Sequence, residues 1–205
     1  MLAEALSFLD NRGGSLVVLA IPRGGVVVAK EVADRLGAPL DLVITRKIGA
    51  PGNPELAVGA VTQDGESLID RETVDRLRVS EVYLKEEAAR QSAEIIRRMD
   101  YYRGHRAFPE LTAKTVILVD DGVATGSTMK AAIQSVKNMR AESVVVAVPV
   151  GPQETIHELS RYADRVVCLE TPAFFNAVGQ FYGEFEQVDD RTVKEILEVR
   201  DSAVS

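Results

Sequence analysis

Short apolar runs alternate with helical patterns along most of the chain, and this alternation limits the fold more than any other feature. Strands that are apolar at every position are buried on both faces, which is typical of parallel sheets covered by helices. The alternation therefore predicts an α/β fold with a doubly wound, mainly parallel sheet of about five strands. The apolar runs are residues 16–21, 40–45, 116–119, 143–148 and 165–169, and helical patterns at 26–36, 129–140 and 153–162 separate several of them.

Two segments, which together form an insertion at residues 46–113, interrupt this alternation. Residues 46–69 contain a loop rich in Gly and Pro, followed by a predicted hairpin of strands 56–62 and 66–69 with an Asp-Gly turn. Residues 71–103 are charged and helical, and the spacing of the less polar residues predicts one inward face. That face comprises Ala88, Ser92, Ile95, Met99 and Tyr102.

Charge and composition narrow the classes of partner. The 205 residues carry a net charge of −7, which disfavours bulk binding to nucleic acid or to an anionic membrane surface. The single cysteine, Cys168, lies in an apolar run, so a buried thiol is favoured over a nucleophile and a reducing cytoplasm is expected. Residues 1–10 predict a short amphipathic helix ending at Asn11, without the basic region of a signal peptide. Since no apolar run approaches the ~20 residues of a membrane span, we expect one soluble, cytoplasmic domain over residues 1–205.

The run VILVDDGVATGST at residues 116–128 places two acids and a turn rich in Gly and hydroxyls between a buried strand and a helix. Free backbone N–H groups converge at a helix start, and the helix dipole adds positive charge there, so the turn suits a phosphate. Asp120 and Asp121 repel phosphate, and their natural partners are sugar hydroxyls or a Mg²⁺ that also holds a diphosphate. The alternative is an ordinary strand-to-helix turn with a solvated acid pair. Lys130 comes too late for a P-loop, and no Gly-x-Gly-x-x-Gly follows a strand.

This run resembles the signature of the type I phosphoribosyltransferases, which consists of four apolar residues, two acids, Gly-x-x-Thr-Gly and then Ser or Thr. The resemblance covers about residues 15–170 and is greatest to a bacterial branch of the family. It implies that the turn binds the ribose 5-phosphate of phosphoribosyl diphosphate and that the acids bind the ribose hydroxyls, with Asp121 also assisting a proton at the acceptor. The implied substrate-binding residues are Asp120, Asp121, Gly122, Val123, Ala124, Thr125, Gly126, Ser127 and Thr128.

Pro22, Arg23, Gly24 and Gly25 form a second turn between a strand end and a helix start. Ligands of doubly wound folds bind beyond the carboxyl ends of the strands, so this turn should open on the same crevice as the acid pair. Adjacent glycines expose backbone N–H groups, and Arg23 offers a bidentate fork for phosphate oxygens. The resemblance implies that the diphosphate leaving group binds here; the alternative is a tight turn with a surface arginine. We expect a strained or cis peptide in this turn, near Arg23 and Gly24.

Arg46 and Lys47 follow the second predicted strand and are candidate catalytic residues. Two cations in this position would stabilise the charge of a departing diphosphate. The resemblance implies a mobile loop in this region that closes over the reaction, and the hairpin at residues 56–69 is the candidate lid. The alternative is that both residues are solvated surface cations.

The tail from Thr171 concentrates aromatic residues before a final predicted helix that begins near Arg191. The resemblance implies that residues 171–205 form a small hood that stacks on the nucleobase and reads its edges. Purine-salvage members place a lysine near this strand end, and no lysine occurs between Lys137 and Lys194, which disfavours a hypoxanthine or guanine acceptor. The candidate acceptor residues are Phe174, Phe175 and Asn176.

The resemblance implies an enzyme that transfers a 5-phosphoribosyl group from phosphoribosyl diphosphate to a nitrogenous base, with Mg²⁺ bound through the diphosphate and by Asp120 and Asp121. His105 and His157 are too isolated to suggest a metal site. Residues 97–106 interleave basic and aromatic side chains, which suits RNA contact, although the end of a helix with cations that complement its dipole is the plainer alternative. A regulatory protein that binds phosphoribosyl diphosphate without turnover, and hydrolysis or rearrangement of a phosphorylated sugar, are further alternatives. A homo-oligomer is implied by the resemblance.

Overall fold

Two β-sheets organise the computed structural model, which describes residues 1–10, 13–104 and 106–204. In chain order, the described strands are β1 (Leu16–Ala20), β2 (Leu40–Leu42), β3 (Arg46–Ala50), β4 (Asn53–Val61), β5 (Ser67–Ile69), β6 (Thr115–Val119), β7 (Ser143–Val150) and β8 (Arg165–Glu170). The described α-helices are α1 (Leu2–Ala5), α2 (Gly25–Leu36), α3 (Arg71–Leu77), α4 (Glu81–Arg103), α5 (Ser127–Asn138), α6 (Gln153–Leu159) and α7 (Asp190–Val204).

The central sheet has five parallel strands in the order β2-β1-β6-β7-β8. Successive residues of β1 enter two separate apolar clusters. Val18 packs in a cluster that includes buried residues of α2 and α7, whereas Val17 and Leu19 pack in a cluster that includes buried residues of α5. Helices therefore cover both faces of the sheet, as strands without polar positions require. The predicted doubly wound α/β fold with a five-stranded parallel sheet is confirmed.

The register of the central strands brings three chain segments to one edge of the sheet. Ala20 of β1 lies opposite Val119 of β6, and Val119 in turn lies opposite Ala147 of β7. Because the three strands are parallel and aligned, the loops that follow them leave from the same edge. Two of these loops are the candidate turns, and the third leads into α6.

The second sheet is antiparallel, with the order β3-β4-β5. The predicted hairpin is confirmed as β4 and β5. Its turn is closed by the Thr62 amide, which donates to the carbonyl oxygen of Glu66 at 2.9 Å, and Gly65 adopts a φ of 87° within it. The sheet contacts both α4 and α5, so it links the helical insertion to the central layer.

The prediction of a loop over the segment rich in Gly and Pro was wrong. Only Pro51 and Gly52 form a turn, and the residues on either side belong to β3 and to the start of β4. The strand predicted at residues 40–45 ends early, at Leu42. Register shifts on either side of Gly49 interrupt the pairing, and such irregularities accommodate residues that a regular strand disfavours. Composition alone therefore underestimated how far the pairing extends.

The helical insertion consists of two capped helices rather than one continuous pattern. The carboxylate of Asp70 accepts an amide hydrogen bond at 3.1 Å at the start of α3, and the hydroxyl of Ser80 accepts one at 3.2 Å at the start of α4. Both are side-chain N-caps, which favour a new helix start at each position. The predicted inward face of α4 is confirmed, since Ile95 and Tyr102 are buried and the other members of the face are partly buried.

Arg103 attaches the end of α4 to the central sheet. Its Nε donates to Asp41 Oδ1 at 2.7 Å, and an Nη donates to the carbonyl oxygen of Leu42 at 2.8 Å. Burial raises the pKa of the Asp41 carboxyl and lowers the pKa of the Arg103 guanidinium. Each charge compensates the other, so the loss of either partner would leave a costly buried charge.

The two ends of the chain pack against the central layer. Within residues 1–10, α1 and a short 3-10 helix (Ser7–Leu9) replace the single predicted helix, and Asn11 lies outside the described residues. The final helix begins at Asp190, one residue before its predicted start. None of the described helices is long and apolar enough to cross a membrane.

Candidate active site

The turn between β6 and α5 presents hydroxyls and a helix start to solvent. Gly126 occupies the N-cap position with a left-handed φ of 72° and supplies no side-chain oxygen to the first amides of α5. Ala124 and Thr125 are exposed, and the hydroxyls of Thr125 and Ser127 lie 3.2 Å apart. The positive end of the helix dipole therefore faces an exposed turn with hydroxyl donors, an arrangement that suits phosphate oxygens.

Asp120 and Asp121 form a closely spaced acid pair at the end of β6. The Asp121 amide donates to Asp120 Oδ1 at 2.9 Å. Burial and the neighbouring charge of Asp121 raise the pKa of Asp120 well above its usual range, and burial also raises the pKa of Asp121. Hydroxyl donors or a cation stabilise the charged form of such a pair, and these are the partners that the sequence predicted for it.

The turn at residues 22–25 is seated directly against the acid pair. A Cβ atom on Gly24 would lie 1.9 Å from Asp121 Oδ2, and one on Gly25 would lie 2.9 Å from the Cα of Asp120. Real Cβ atoms do not make contacts this short, so a side chain at Gly25 would collide with backbone, and one at Gly24 would force the Asp121 carboxylate to move. The two turns that were predicted to share one crevice are therefore in contact.

Arg23 lies in this turn and forms an ion pair with the C-terminal helix. The peptide bond between Pro22 and Arg23 is cis, so the predicted cis peptide is confirmed, one peptide before the position that the sequence favoured. Arg23 Nη1 lies 3.8 Å from Asp190 Oδ1 at the start of α7. The guanidinium is thus held between the turn and a helix that lies outside the part of the chain covered by the family signature.

Arg46 contacts the helical insertion rather than the two turns. Its Nε donates to Gln91 Oε1 of α4 at 2.8 Å, and burial lowers the pKa of its guanidinium. Within the described residues, no hydrogen bond or ion pair of Arg46 reaches either turn. Lys47 follows it on β3 and is exposed. The structure therefore brings the two turns together, whereas Arg46 is directed at α4.

The tip of the hairpin predicted as a lid is held against α5. Ser135 Oγ donates to Asp64 Oδ1 at 2.9 Å, and Asn138 Nδ2 donates to Asp64 Oδ2 at 3.1 Å and to Glu66 Oε2 at 2.7 Å. Ser135 and Asn138 belong to the C-terminal end of α5, and a helix rises about 1.5 Å per residue. The hairpin tip therefore lies roughly 12 Å or more along the helix axis from the turn that precedes Ser127.

The C-terminal tail contacts the acid turn through two residues that the sequence did not single out. Tyr182 Oη donates to the carbonyl oxygen of Asp121 at 2.6 Å, and a Cβ on Gly122 would lie 2.8 Å from Val178 Cγ1. Burial and the charges of the two acids raise the pKa of Tyr182 to about 12, so its hydroxyl remains a donor at neutral pH. The cluster of aromatics in the tail was the available signal, but irregular aromatic spacing is equally typical of a core.

Thr155 is another contact that sequence reasoning missed. Its Oγ1 donates to the carbonyl oxygen of Ala124 at 2.7 Å. A Cβ atom on Gly126 would lie 2.9 Å from the methyl carbon of Thr155, Cγ2. The start of α6 therefore supports the phosphate-sized turn from behind, although nothing in the local sequence around this threonine indicates that role.

The predicted acceptor residues lie in the same tail. Phe175 stacks on Phe181 with ring centroids 5.3 Å apart, Phe174 is 87% exposed, and the backbone N–H of Asn176 donates to Gln180 Oε1 at 3.2 Å. Phe175 also borders an open cleft of about 620 Å³. The other residues that line this cleft are Pro152, Gln153, Glu154, His157, Pro172 and Ala173.

The basic residues at the end of α4 are paired within the protein. Arg97 and Arg98 both donate to the carboxylate of Glu94 at 2.8 Å, and these contacts lower the pKa of that carboxyl to about 2. Arg103 is the buried partner of an aspartate, and Arg106 donates to backbone carbonyl oxygens. These four arginines are therefore engaged by groups of the protein itself.

Comparison with known proteins assigns the family. A family model described as a phosphoribosyl transferase domain matches residues 2–185, which include both turns and the acid pair. The chain belongs to the phosphoribosyltransferase family. The signature at residues 116–128 and the parallel sheet that carries it both lie within the matched range.

Relatives of this phosphoribosyltransferase-family chain match nearly its whole length. Two Mycobacterium tuberculosis sequences, from strains CDC 1551 and H37Rv and provisionally named phosphoribosyl transferases, are each 43% identical to it over 197 residues. These matches cover 96% of this chain but 44% of each relative, so the chain spans less than half the length of these curated relatives. The crystal structure of TT1426 from Thermus thermophilus is 47% identical, has a TM-score of 0.81, and is matched over 96% of this chain and 92% of that chain.

Proposed function

We propose that this protein transfers the 5-phosphoribosyl group of phosphoribosyl diphosphate to a nitrogenous base or a similar acceptor, releasing diphosphate with Mg²⁺ as cofactor. The observation that carries the proposal is the seating of Gly24 against Asp121, where a Cβ would lie 1.9 Å from Oδ2. This contact joins two features into one site: an acid pair that suits hydroxyls and a turn that suits phosphate oxygens. A second phosphate-sized turn follows the acids. A sugar that carries phosphate groups at two positions could therefore contact both turns while its hydroxyls contact the acids.

Each part of the site has a role that follows from its chemistry. The turn before α5 would hold the 5-phosphate through amides, hydroxyls and the helix dipole. Asp120 and Asp121 would accept hydrogen bonds from the ribose hydroxyls, and the turn at residues 22–25 would bind the diphosphate. Loss of diphosphate leaves positive charge on the ribose, which two nearby carboxylates stabilise without forming a covalent bond. We assign to Asp121 the further task of accepting a proton from the acceptor.

The donor set at the acid pair fits Mg²⁺. This ion is usually bound by one or two carboxylates together with substrate phosphates, rather than by a cage built wholly from protein. Among the described residues, no group of three or more His, Cys, Asp or Glu side chains could hold a metal alone, and His105 lies outside them. Asp120 and Asp121 would therefore share the ion with the diphosphate, where it would neutralise part of the leaving charge.

We assign the acceptor base to the cleft that Phe175 borders. An aromatic ring offers a face for stacking, and Gln153 and Glu154, which also line the cleft, offer an amide and a carboxylate for the edges of a base. The lining contains no lysine, which is consistent with the expectation that a hypoxanthine or guanine acceptor is disfavoured. An acceptor with amino groups at its edge suits this lining better.

Release of diphosphate tests the proposal directly. The protein is incubated with phosphoribosyl diphosphate, Mg²⁺ and each of a panel of purine and pyrimidine bases, and diphosphate is measured in a coupled assay. We expect release with at least one base, and a loss of about 100-fold or more in the double variant Asp120→Asn/Asp121→Asn. Asp75→Asn, which changes an exposed acid of α3, is the control and should retain full release.

Two results would contradict the transferase proposal. Tight calorimetric binding of phosphoribosyl diphosphate without release on any base would favour a regulatory protein that senses this ligand. Release that proceeds equally well without any base would indicate hydrolysis. The same double variant should abolish the signal in either case, so the base dependence is the deciding measurement.

A further inference from the structure

A carboxylate outside the two turns is the ion-pair partner of Arg23. Asp190 Oδ1 lies 3.8 Å from Arg23 Nη1, and the two side chains are 42% and 43% exposed. Asp190 is the first residue of α7, where the helix dipole favours a negative charge. The diphosphate turn is thus connected to the C-terminal helix by a pair of charges.

Tyr102 holds this carboxylate in place. Its Oη donates to Asp190 Oδ1 at 2.5 Å, and its side chain is only 1% exposed. Burial and the hydrogen bond to Asp190 raise the pKa of the Tyr102 hydroxyl, so it remains a donor throughout the neutral range. A rigid, buried donor on α4 therefore fixes the position of an otherwise half-exposed carboxylate on α7.

The geometry suggests that the pair orients Arg23 rather than stabilising the fold. An ion pair with both partners about two-fifths exposed contributes little to stability. The contact engages one nitrogen of the guanidinium, whose fork can still present other N–H donors to a second anion. A long side chain that is already oriented loses less rotamer freedom when it binds a ligand.

We propose that Asp190, fixed by Tyr102, is a positioning residue that orients Arg23 towards diphosphate bound at residues 22–25. This inference rests on the proposed function, since it assumes that the turn binds the diphosphate group. It assigns a role to α4 and α7, which lie in the helical insertion and the C-terminal tail. The two segments would meet at Asp190 to set the affinity of the site for its leaving group.

Isothermal titration of phosphoribosyl diphosphate with Mg²⁺ into the full chain tests this role. We expect Asp190→Asn to weaken binding about fivefold, which corresponds to about 1 kcal/mol. In an Arg23→Gln background the same change should cause no further loss, because Asp190 would act only through that arginine. Glu195→Gln removes a carboxylate from an exposed ion pair on the same helix and should leave binding unchanged.

Tyr102→Phe provides a second variant that removes only the hydroxyl. It should weaken binding in the same direction, and its effect should also disappear in the Arg23→Gln background. Equal affinity of wild type and Asp190→Asn would overturn the inference, as would tighter binding by the variant, which would mean that Asp190 competes with the ligand. An effect that persists without Arg23 would show a purely structural role. If the wild-type chain binds no phosphoribosyl diphosphate, the proposed function fails together with the inference.

Discussion

The two turns of the candidate site both depend on glycine, but for different physical reasons. Gly24 has an ordinary φ of −59°, and what forbids a side chain there is the carboxylate of Asp121. Gly126 has a φ of 72°, which a residue with a Cβ adopts only at a cost, and it also packs against Thr155. The first turn is therefore defined by its contact with the acids, whereas the second is defined by its own backbone.

This difference separates function from stability. A substitution in the first turn should displace a carboxylate of the site while the backbone stays in an allowed conformation. A substitution in the second turn should strain the backbone at the start of α5 and so affect the whole domain. Four substitutions test this contrast, and their expected effects decrease in turn.

Gly24→Ala should have the largest effect, and mainly on activity. Because the new Cβ would lie 1.9 Å from Asp121 Oδ2, the carboxylate must move. A displacement of about 1 Å at a catalytic group costs on the order of 100-fold in rate, so we expect kcat/KM for diphosphate release to fall by about that factor. Gly14→Ala is the matched control, because a Cβ there meets nothing within 4 Å. Full activity in Gly24→Ala would mean that the two turns do not form one site.

Gly126→Ala should mainly lower stability. The left-handed backbone costs a residue with a Cβ about 1–2 kcal/mol, and the contact with Thr155 Cγ2 at 2.9 Å adds to this cost. We therefore expect the free energy of unfolding, measured in urea, to fall by about 2–4 kcal/mol. Gly37→Ala separates the two contributions, since Gly37 has a φ of 59° but no neighbour within 4 Å, and it should cost about 1–2 kcal/mol. Equal losses at both positions would show that the contact with Thr155 contributes nothing.

Asp120→Asn should stabilise the fold at higher pH, by less than Gly126→Ala destabilises it. Because the pKa of Asp120 is raised in the folded state, that state binds the proton more tightly than the unfolded chain, and stability falls as pH rises through the raised pKa. The variant lacks this titrating carboxyl, so we expect its free energy of unfolding to exceed that of the wild type by about 1 kcal/mol near pH 8. The difference should vanish towards pH ~4, near the unfolded pKa. The measurement is urea unfolding of both proteins across this pH range. A variant less stable than the wild type near pH 8 would contradict the prediction.

Tyr182→Phe should have the smallest effect, confined to the site. The change removes one hydrogen bond to the carbonyl oxygen of Asp121 and should cost about 0.5–1.5 kcal/mol of stability. Tyr83→Phe is a matched control, because Tyr83 Oη donates to the carbonyl oxygen of Gly49 at 2.9 Å, outside the two turns. We expect similar thermal melting shifts for both variants and a lower kcat/KM only for Tyr182→Phe. Identical activities would show that the hood does not influence the acid pair.

Predictions from the sequence succeeded where the signal was local. The central strands were recognisable because every position is apolar, and α4 because its apolar residues recur at helical spacing. The prediction failed at the end of β3 and the start of β4, where Gly49 and Pro54 suggested a loop, because the pairing of these strands and their contact with α4 override that local preference. The hairpin was correctly predicted, but its docking onto α5 through Asp64 has no local signature.

The site shows the same division between local chemistry and distant contact. The acid pair, the hydroxyls and the glycines were predicted because each residue type has a chemical role at a strand end. Tyr182 was missed as a site residue because its partner lies 61 residues away in the chain. Arg46 was expected at the leaving group, but its partner Gln91 is 45 residues away and lies on the insertion.

The sequence by itself determined the layer architecture of this protein and the chemistry of the two turns, because periodicity and residue type act over a few neighbouring positions. Only the tertiary structure decided that Gly24 rests on Asp121, that Arg23 pairs with Asp190, and that the tail closes on the acid turn through Tyr182. These contacts join segments that are far apart in the chain, and the packing of helices on the sheet, rather than any local preference, brings them within hydrogen-bonding distance.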